Sequence, residues 1–230
     1  MALNTAVHKN IMLQILKDIY SDTTISPFLG FKGGTAAYIF YDLNRFSTDL
    51  DFDLLNEEKE EYIFTRITQI VGGYGKIKDI RKKRFGLFFL LSYQEKAHNI
   101  KLEINHRSFG SHYEVKTYLG ISMLVMTRED MFANKLVAMS ERLGKTNRDI
   151  YDVWFFLKSN WPINKNIVEK RVSMPFNDFL QKCVTDLGKI SDRKILNGVG
   201  ELLNAKQKDW VRVKLRTDTI FLLKLMIKNI

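Results

Sequence analysis

The spacing of hydrophobic residues changes along the chain, and the change separates two halves. From Ala2 to Tyr20, Val7, Ile11, Leu13, Ile15, Leu16 and Ile19 recur at helical spacing, and Ser21-Asp22 follows as a stop. Pro27 introduces a short apolar run, Phe28-Leu29-Gly30-Phe31, which meets Lys32-Gly33-Gly34-Thr35 and then a helical stretch from Ala36 to Leu43. That order predicts strand, glycine turn, helix. Between Asp49 and Leu54 acidic and apolar residues alternate strictly, as in a half-buried strand, so Asp49, Asp51 and Asp53 share one face. The stretch Glu57 to Val71 reads as a helix, Gly72-Gly73-Tyr74-Gly75 as a turn, and Phe85 to Tyr93 as a buried strand rich in aromatic residues. From Asn99 to Asn105 the alternation returns: Ile100, Leu102 and Ile104 point one way, and Lys101, Glu103 and Asn105 the other. A further strand is expected within Ile121–Met126.

After Thr127 the strand signals fade. Thr127-Arg128-Glu129-Asp130 resembles a capping box, with Asp where Glu is usual, and Phe132, Leu136, Met139 and Leu143 then step along one helix face until Gly144. A second helix is expected from near Asn147, with Val153, Trp154 and Leu157 on its apolar side, and 165–230 reads as several amphipathic helices. The pattern shows no internal repeat. It predicts an α+β chain, with a mixed α/β domain over 1–126 and a helical domain over 127–230.

Composition removes several classes. A single cysteine, Cys183, cannot form an internal disulfide, and His8, His98, His106 and His112 show no metal-ligand spacing with it. No apolar stretch approaches the roughly 20 residues of a membrane span, and the N-terminus lacks a secretion signal, so a cytoplasmic protein is expected. The formal net charge of +10 favours polyanionic partners, nucleic acid among them.

Chemistry concentrates in three places. A glycine pair between strand and helix brings backbone N–H groups near a bound group and adds the helix N-terminal charge, which suits phosphate, although tight turns use glycine equally. Asp49 and Asp51, two apart on a strand, project carboxylates to one side, where they repel unless a cation or solvent meets them. Glu103 lies on a later strand whose polar face suits a place beside them. Two carboxylates from one strand and one from a neighbour can hold divalent ions for phosphoryl or nucleotidyl transfer.

The segments Phe31-Lys32-Gly33-Gly34-Thr35, Arg45-Phe46-Ser47-Thr48-Asp49-Leu50-Asp51-Phe52 and Ile100-Lys101-Leu102-Glu103 together resemble the DNA polymerase β-type nucleotidyltransferase superfamily. Within it the chain is similar to the abortive-infection AbiEii/AbiGii toxins, whose downstream lysine and Lys-Asp-x-x-Asp motifs are matched by Asn134-Lys135-Leu136 and Arg148-Asp149-Ile150-Tyr151-Asp152, with arginine in place of lysine at 148. The resemblance implies a nucleotidyltransferase-type mixed sheet flanked by helices, followed by a helical C-terminal half. It implies Mg²⁺ on Asp49, Asp51 and Glu103, and Glu103 helping to activate the attacking hydroxyl. It also implies Gly33 and Gly34 on the triphosphate, with Lys32, Thr35, Arg45, Ser47 and Arg148 as further nucleotide-binding residues. Lys135 would neutralise triphosphate charge and Asp152 would orient nucleotide or acceptor.

Plainer readings stand beside these. Lys135 and Arg142, on a stripe with Met131 and Ala138, also suit a solvated basic face; Arg148 and Asp152 suit an i,i+4 ion pair; Arg45 and Ser47 suit a tied-down turn. Arg81-Lys82-Lys83-Arg84 suits a solvated run on a loop or strand entrance, or an RNA backbone. The function expected is Mg²⁺-dependent transfer of a nucleoside monophosphate from an NTP to RNA, the tRNA 3′ end favoured, by the toxin of a toxin–antitoxin or phage-defence pair with a cognate antitoxin. AMP transfer to a protein hydroxyl, antibiotic modification and nucleotide or partner binding without turnover are the rivals.

Overall fold

A computed structural model describes residues 3–95, 97–107 and 109–229. Ala2, the expected start of the first helix, and Met1 and Ile230, the outer bounds of the expected domains, lie outside the described residues. The chain divides into two compact units. One comprises Met1–Asp42, Phe46–Ser108 and His112–Met126; the other comprises Leu43–Arg45, Phe109–Ser111 and Thr127–Ile230.

The first unit holds helices α1 (Thr5–Ser21), α2 (Gly33–Phe40) and α3 (Glu60–Gly72). Its strands are β1 (Leu29–Lys32), β2 (Asp49–Leu54), β3 (Lys76–Lys83), β4 (Gly86–Ser92), β5 (Ile100–Asn105), β6 (Tyr113–Tyr118) and β7 (Ile121–Met126). They form one mixed sheet in the order β3-β4-β5-β2-β1-β7-β6. The predicted alternation buries Leu50, Phe52 and Leu54 of β2 and Ile100, Leu102 and Ile104 of β5, while β4, expected as a buried strand, alternates too and buries Leu87, Phe89 and Leu91. The helices contribute the matching apolar residues, Met12, Ile15, Leu16 and Ile19 from α1 and Ile63, Ile67 and Val71 from α3. α1 starts at the Asn4 cap, whose side chain accepts from the Val7 amide at 3.2 Å.

Two strands are absent from the sequence expectation, β3 and β6. Both lie at the sheet edges, where ladder hydrogen bonds to a single neighbour hold a strand that buries little. In β3 only Ile77 and Ile80 are apolar, and its register with β4 shifts between Ile77 and Asp79. In β6 Val115 is 72% exposed. A periodic apolar signal therefore has no reason to exist in either.

The second unit contains α4 (Arg128–Arg142), α5 (Arg148–Lys158), α6 (Lys165–Val172), α7 (Phe176–Gly188) and α8 (Ala205–Lys228). The capping box expected at α4 does not form. Thr127 is the N-cap residue, yet its side chain makes no cap bond, and the buried Asp130 carboxylate instead accepts from Asn164 Nδ2 at 2.6 Å. A complete box stands at α8, where Asn204 and Gln207 exchange side-chain and backbone bonds. The aromatic residues of α5 pack as core: Trp154 lies 4.1 Å from Trp210 between ring centroids, and Phe156 stacks on Trp161 at 4.0 Å. Gly144, just past α4, adopts φ +80°, a left-handed stop that glycine permits.

Candidate active site

In the first unit β2 and β5 run parallel, with Asp49 opposite Lys101, Asp51 opposite Glu103 and Asp53 opposite Asn105. β1 flanks β2 on its other side and sets Lys32 opposite Asp51 and Gly30 opposite Asp53. Since adjacent strands lie about 4.8 Å apart, this register brings Asp51 and Glu103 side by side although fifty-one residues separate them along the chain. Gly33, the first residue of α2, adopts φ +80°, and a Cβ built there would collide with the Asp51 carboxylate. The glycine therefore serves both the turn and the close approach. Gly34 follows it, buried in the first turn.

Thr35 and Ser47 are buried and secure the backbone ahead of the carboxylates. The Thr35 hydroxyl donates to the Asp49 carbonyl and lies 2.9 Å from the Ser47 hydroxyl. The buried His8 fixes the same stretch: its Nε2 bonds the Thr48 carbonyl at 3.1 Å, which places the ring proton there, and its Nδ1 accepts from the Tyr93 hydroxyl at 3.0 Å. Burial lowers the His8 pKa below 6.5, against the opposing Thr48 bond.

The cations that meet the acidic face come from the chain itself, which sequence reasoning missed. Lys101 Nζ lies 3.5 Å from Asp49 Oδ2 and 3.3 Å from Glu103 Oε2, and Lys83 Nζ donates to Glu103 Oε1 at 2.9 Å. Burial works to raise the Glu103 pKa, but Lys101 and then Lys83 outweigh it and bring it below the ordinary value. Asp53 pairs with Lys32 and accepts from the Tyr113 hydroxyl at 2.5 Å. Tyr113 reaches it because Gly30 has no Cβ; one built there would overlap the tyrosine ring. Alternating charge along β5 was the available signal for Lys101; nothing in the sequence pointed to Tyr113.

A second charged cluster lies in the other unit. Arg45 Nε and Nη2 donate to Asp152 Oδ1 and Oδ2 at 2.6 and 2.7 Å, with both side chains buried. Lys135 Nζ reaches Asp152 Oδ2 at 2.8 Å and Asp149 Oδ1 at 3.0 Å, and Arg142 Nε lies 3.3 Å from Asp149 Oδ2. Lys135 and Arg142 thus share a face of α4, and α5 answers it with two carboxylates. Burial alone would raise the Asp152 pKa, but the Arg45 guanidinium and the Lys135 ammonium hold it far below the usual carboxylate range. Asp149 is lowered in the same way, by Lys135 and Arg142 against its burial. Arg148 opens α5, half-buried.

The sequence-derived residues therefore fall into two groups: Lys32, Gly33, Gly34, Thr35, Ser47, Asp49, Asp51 and Glu103 in the first unit, and Arg45, Lys135, Arg148 and Asp152 in the second. As a donor set, the oxygens of Asp49, Asp51 and Glu103 suit a hard divalent cation. Among the described residues no three carboxylate, imidazole or thiolate groups already converge on one point.

Residues 14–212 match the family described as nucleotidyl transferase AbiEii toxin, type IV TA system. The chain belongs to this family. The match runs from within α1 into α8 and takes in both groups of charged residues. Crystal structures share the fold of this AbiEii chain. One, from H. pylori and assigned as a nucleotidyltransferase, is 22% identical with a TM-score of 0.62, over 100% of this chain and 97% of its own. Another, JHP933 from Helicobacter pylori, is 22% identical with a TM-score of 0.60, over 100% of this chain and 94% of its own. No curated protein matches. As an AbiEii nucleotidyltransferase the chain takes an NTP as substrate, and its type IV toxin–antitoxin family implies a cognate antitoxin. No helix among the described residues is long and apolar enough to cross a membrane.

Proposed function

We propose that this AbiEii nucleotidyltransferase moves a nucleoside monophosphate from an NTP to an RNA acceptor in a Mg²⁺-dependent reaction, with the 3′ end of tRNA as the favoured acceptor, and acts as the toxin of its pair. The observation that carries the reading is the register of β2 and β5, which sets Asp51 beside Glu103 while Gly33 abuts Asp51. Asp49, Asp51 and Glu103 would hold the ion, which when bound neutralises phosphate charge and makes a hydroxyl more acidic. The backbone amides at Gly33 and Gly34 bind phosphate oxygens at the start of α2. Glu103 accepts the proton of the attacking hydroxyl as its oxygen bonds the α-phosphorus and the bond to pyrophosphate breaks. Lys101 and Lys83 keep Glu103 ionised. The formal net charge of +10 suits an RNA acceptor.

The test incubates the full chain with each α-labelled NTP and total cellular RNA, with Mg²⁺ or with chelator, and separates RNA from protein on a gel. Label should enter RNA only with Mg²⁺, and Asp51→Asn should lower transfer by about a hundredfold or more while the melting temperature holds. Label on protein instead would favour a protein hydroxyl as acceptor. No transfer from any NTP would overturn the reading.

A further inference from the structure

β3 is an edge strand, and five of its eight residues are basic: Lys76, Lys78, Arg81, Lys82 and Lys83. Charged edges guard sheets against pairing with other chains, so the strand alone marks no site. The turn after it differs. Arg84-Phe85 joins β3 to β4, and Phe85 remains 45% exposed. The Arg84 guanidinium lies 5.0 Å from the centroid of that ring, and the guanidinium of Arg107, just past β5, lies 4.9 Å from it. The His106 amide donates to the Phe85 carbonyl at 3.1 Å, which ties the turn to the end of β5. Edge protection needs no aromatic ring in solvent, and still less one flanked by guanidinium groups from two separate segments.

The charge there is also unspent. Arg81 pairs with Asp79 and Lys82 with Glu61, whereas among the described residues neither Arg84 nor Arg107 has a carboxylate partner. Next along the strand Lys83 sits over the Phe88 ring at 4.0 Å and donates to Glu103. Phe88 is opposite Glu103 in the ladder, so Phe85 stands three residues, about 10 Å, from the level of that carboxylate.

We infer that Arg84, Phe85 and Arg107 form a platform that binds the single-stranded end of an RNA and leads it past Lys83 toward Glu103. The inference rests on the reading of RNA as acceptor. Planar guanidinium groups held over an exposed aromatic ring offer unpaired bases a stacking surface and phosphates a charge at once. A duplex could use only the charge.

The experiment measures binding of a fluorescein-labelled single-stranded oligoribonucleotide to the full chain by anisotropy across a salt series, with the same strand annealed to its complement as control. Arg84→Ala with Arg107→Ala should weaken single-strand binding about tenfold or more and flatten the slope of log K against log salt by about 1.4, or about 0.7 for each phosphate that is no longer neutralised. Arg84→Lys with Arg107→Lys should keep the slope but still lose affinity, because an ammonium does not stack. NTP binding and melting temperature should hold in both. Unchanged affinity and slope in the double alanine variant would overturn the platform, as would equal losses for duplex and single strand. The label-transfer assay separates the two claims. Wild-type transfer to RNA that the double alanine variant matches at every RNA concentration removes the platform and leaves the acceptor reading standing. Wild-type transfer to protein alone, with RNA affinity still reduced in the variant, removes the acceptor reading and keeps the platform as an RNA-binding surface.

Discussion

At Gly33 one added carbon would be felt twice, in the backbone and at the Asp51 carboxylate. With φ +80° and no room for a Cβ, Gly33→Ala should cost about 1–3 kcal/mol of stability in urea denaturation and depress transfer further than that loss explains, because it displaces Asp51. The buried Arg45–Asp152 pair obeys a different rule. Removing Arg45 leaves the buried Asp152 carboxylate to Lys135 alone, so Arg45→Met should cost about 3 kcal/mol, the low end for breaking a buried pair, and Arg45→Lys should recover only part of it, since one ammonium cannot replace two guanidinium bonds. Denaturant midpoints for the two variants check both. At Asp152 the structure adds partners that the sequence did not suggest: the carboxylate meets Arg45 and Lys135.

Among elements, β2 and β5 were legible in the sequence because alternation reports directly which side chains share a face. β3 and β6 were not, since an edge strand owes its conformation to the neighbour it pairs with. The two helix starts make a matched comparison. Asn204→Ala removes a cap bond that exists and should cost about 1 kcal/mol, while Thr127→Ala removes none and should change stability by no more than a few tenths. Equal losses in thermal denaturation would show that Thr127 caps α4 in solution after all. The motif at Thr127 fails because tertiary packing gives the Asp130 carboxylate a better donor in Asn164.

For the whole molecule the shifted groups set how stability responds to acid. The folded-state pKa of His8 lies below 6.5, so the unfolded chain binds more protons there and stability begins to fall as pH drops through 6.5. Asp149, Asp152 and Glu103 are lowered in the fold, so their stabilisation is complete above the unfolded value, about 4, and is lost as pH falls further. Melting temperature against pH should therefore decline in two stages, and His8→Gln should abolish the first while leaving the second. The division into a sheet-bearing part and a helical part, the acidic face of β2 and the glycine turn are properties of local order along the chain, and the sequence by itself determined them. Which strand lies beside β2, which lysines neutralise its carboxylates, and why Arg45 belongs with residues beyond position 127 were decided only by the tertiary structure. Periodicity states the face a residue occupies; the charge it meets there depends on the path that brings a distant segment alongside.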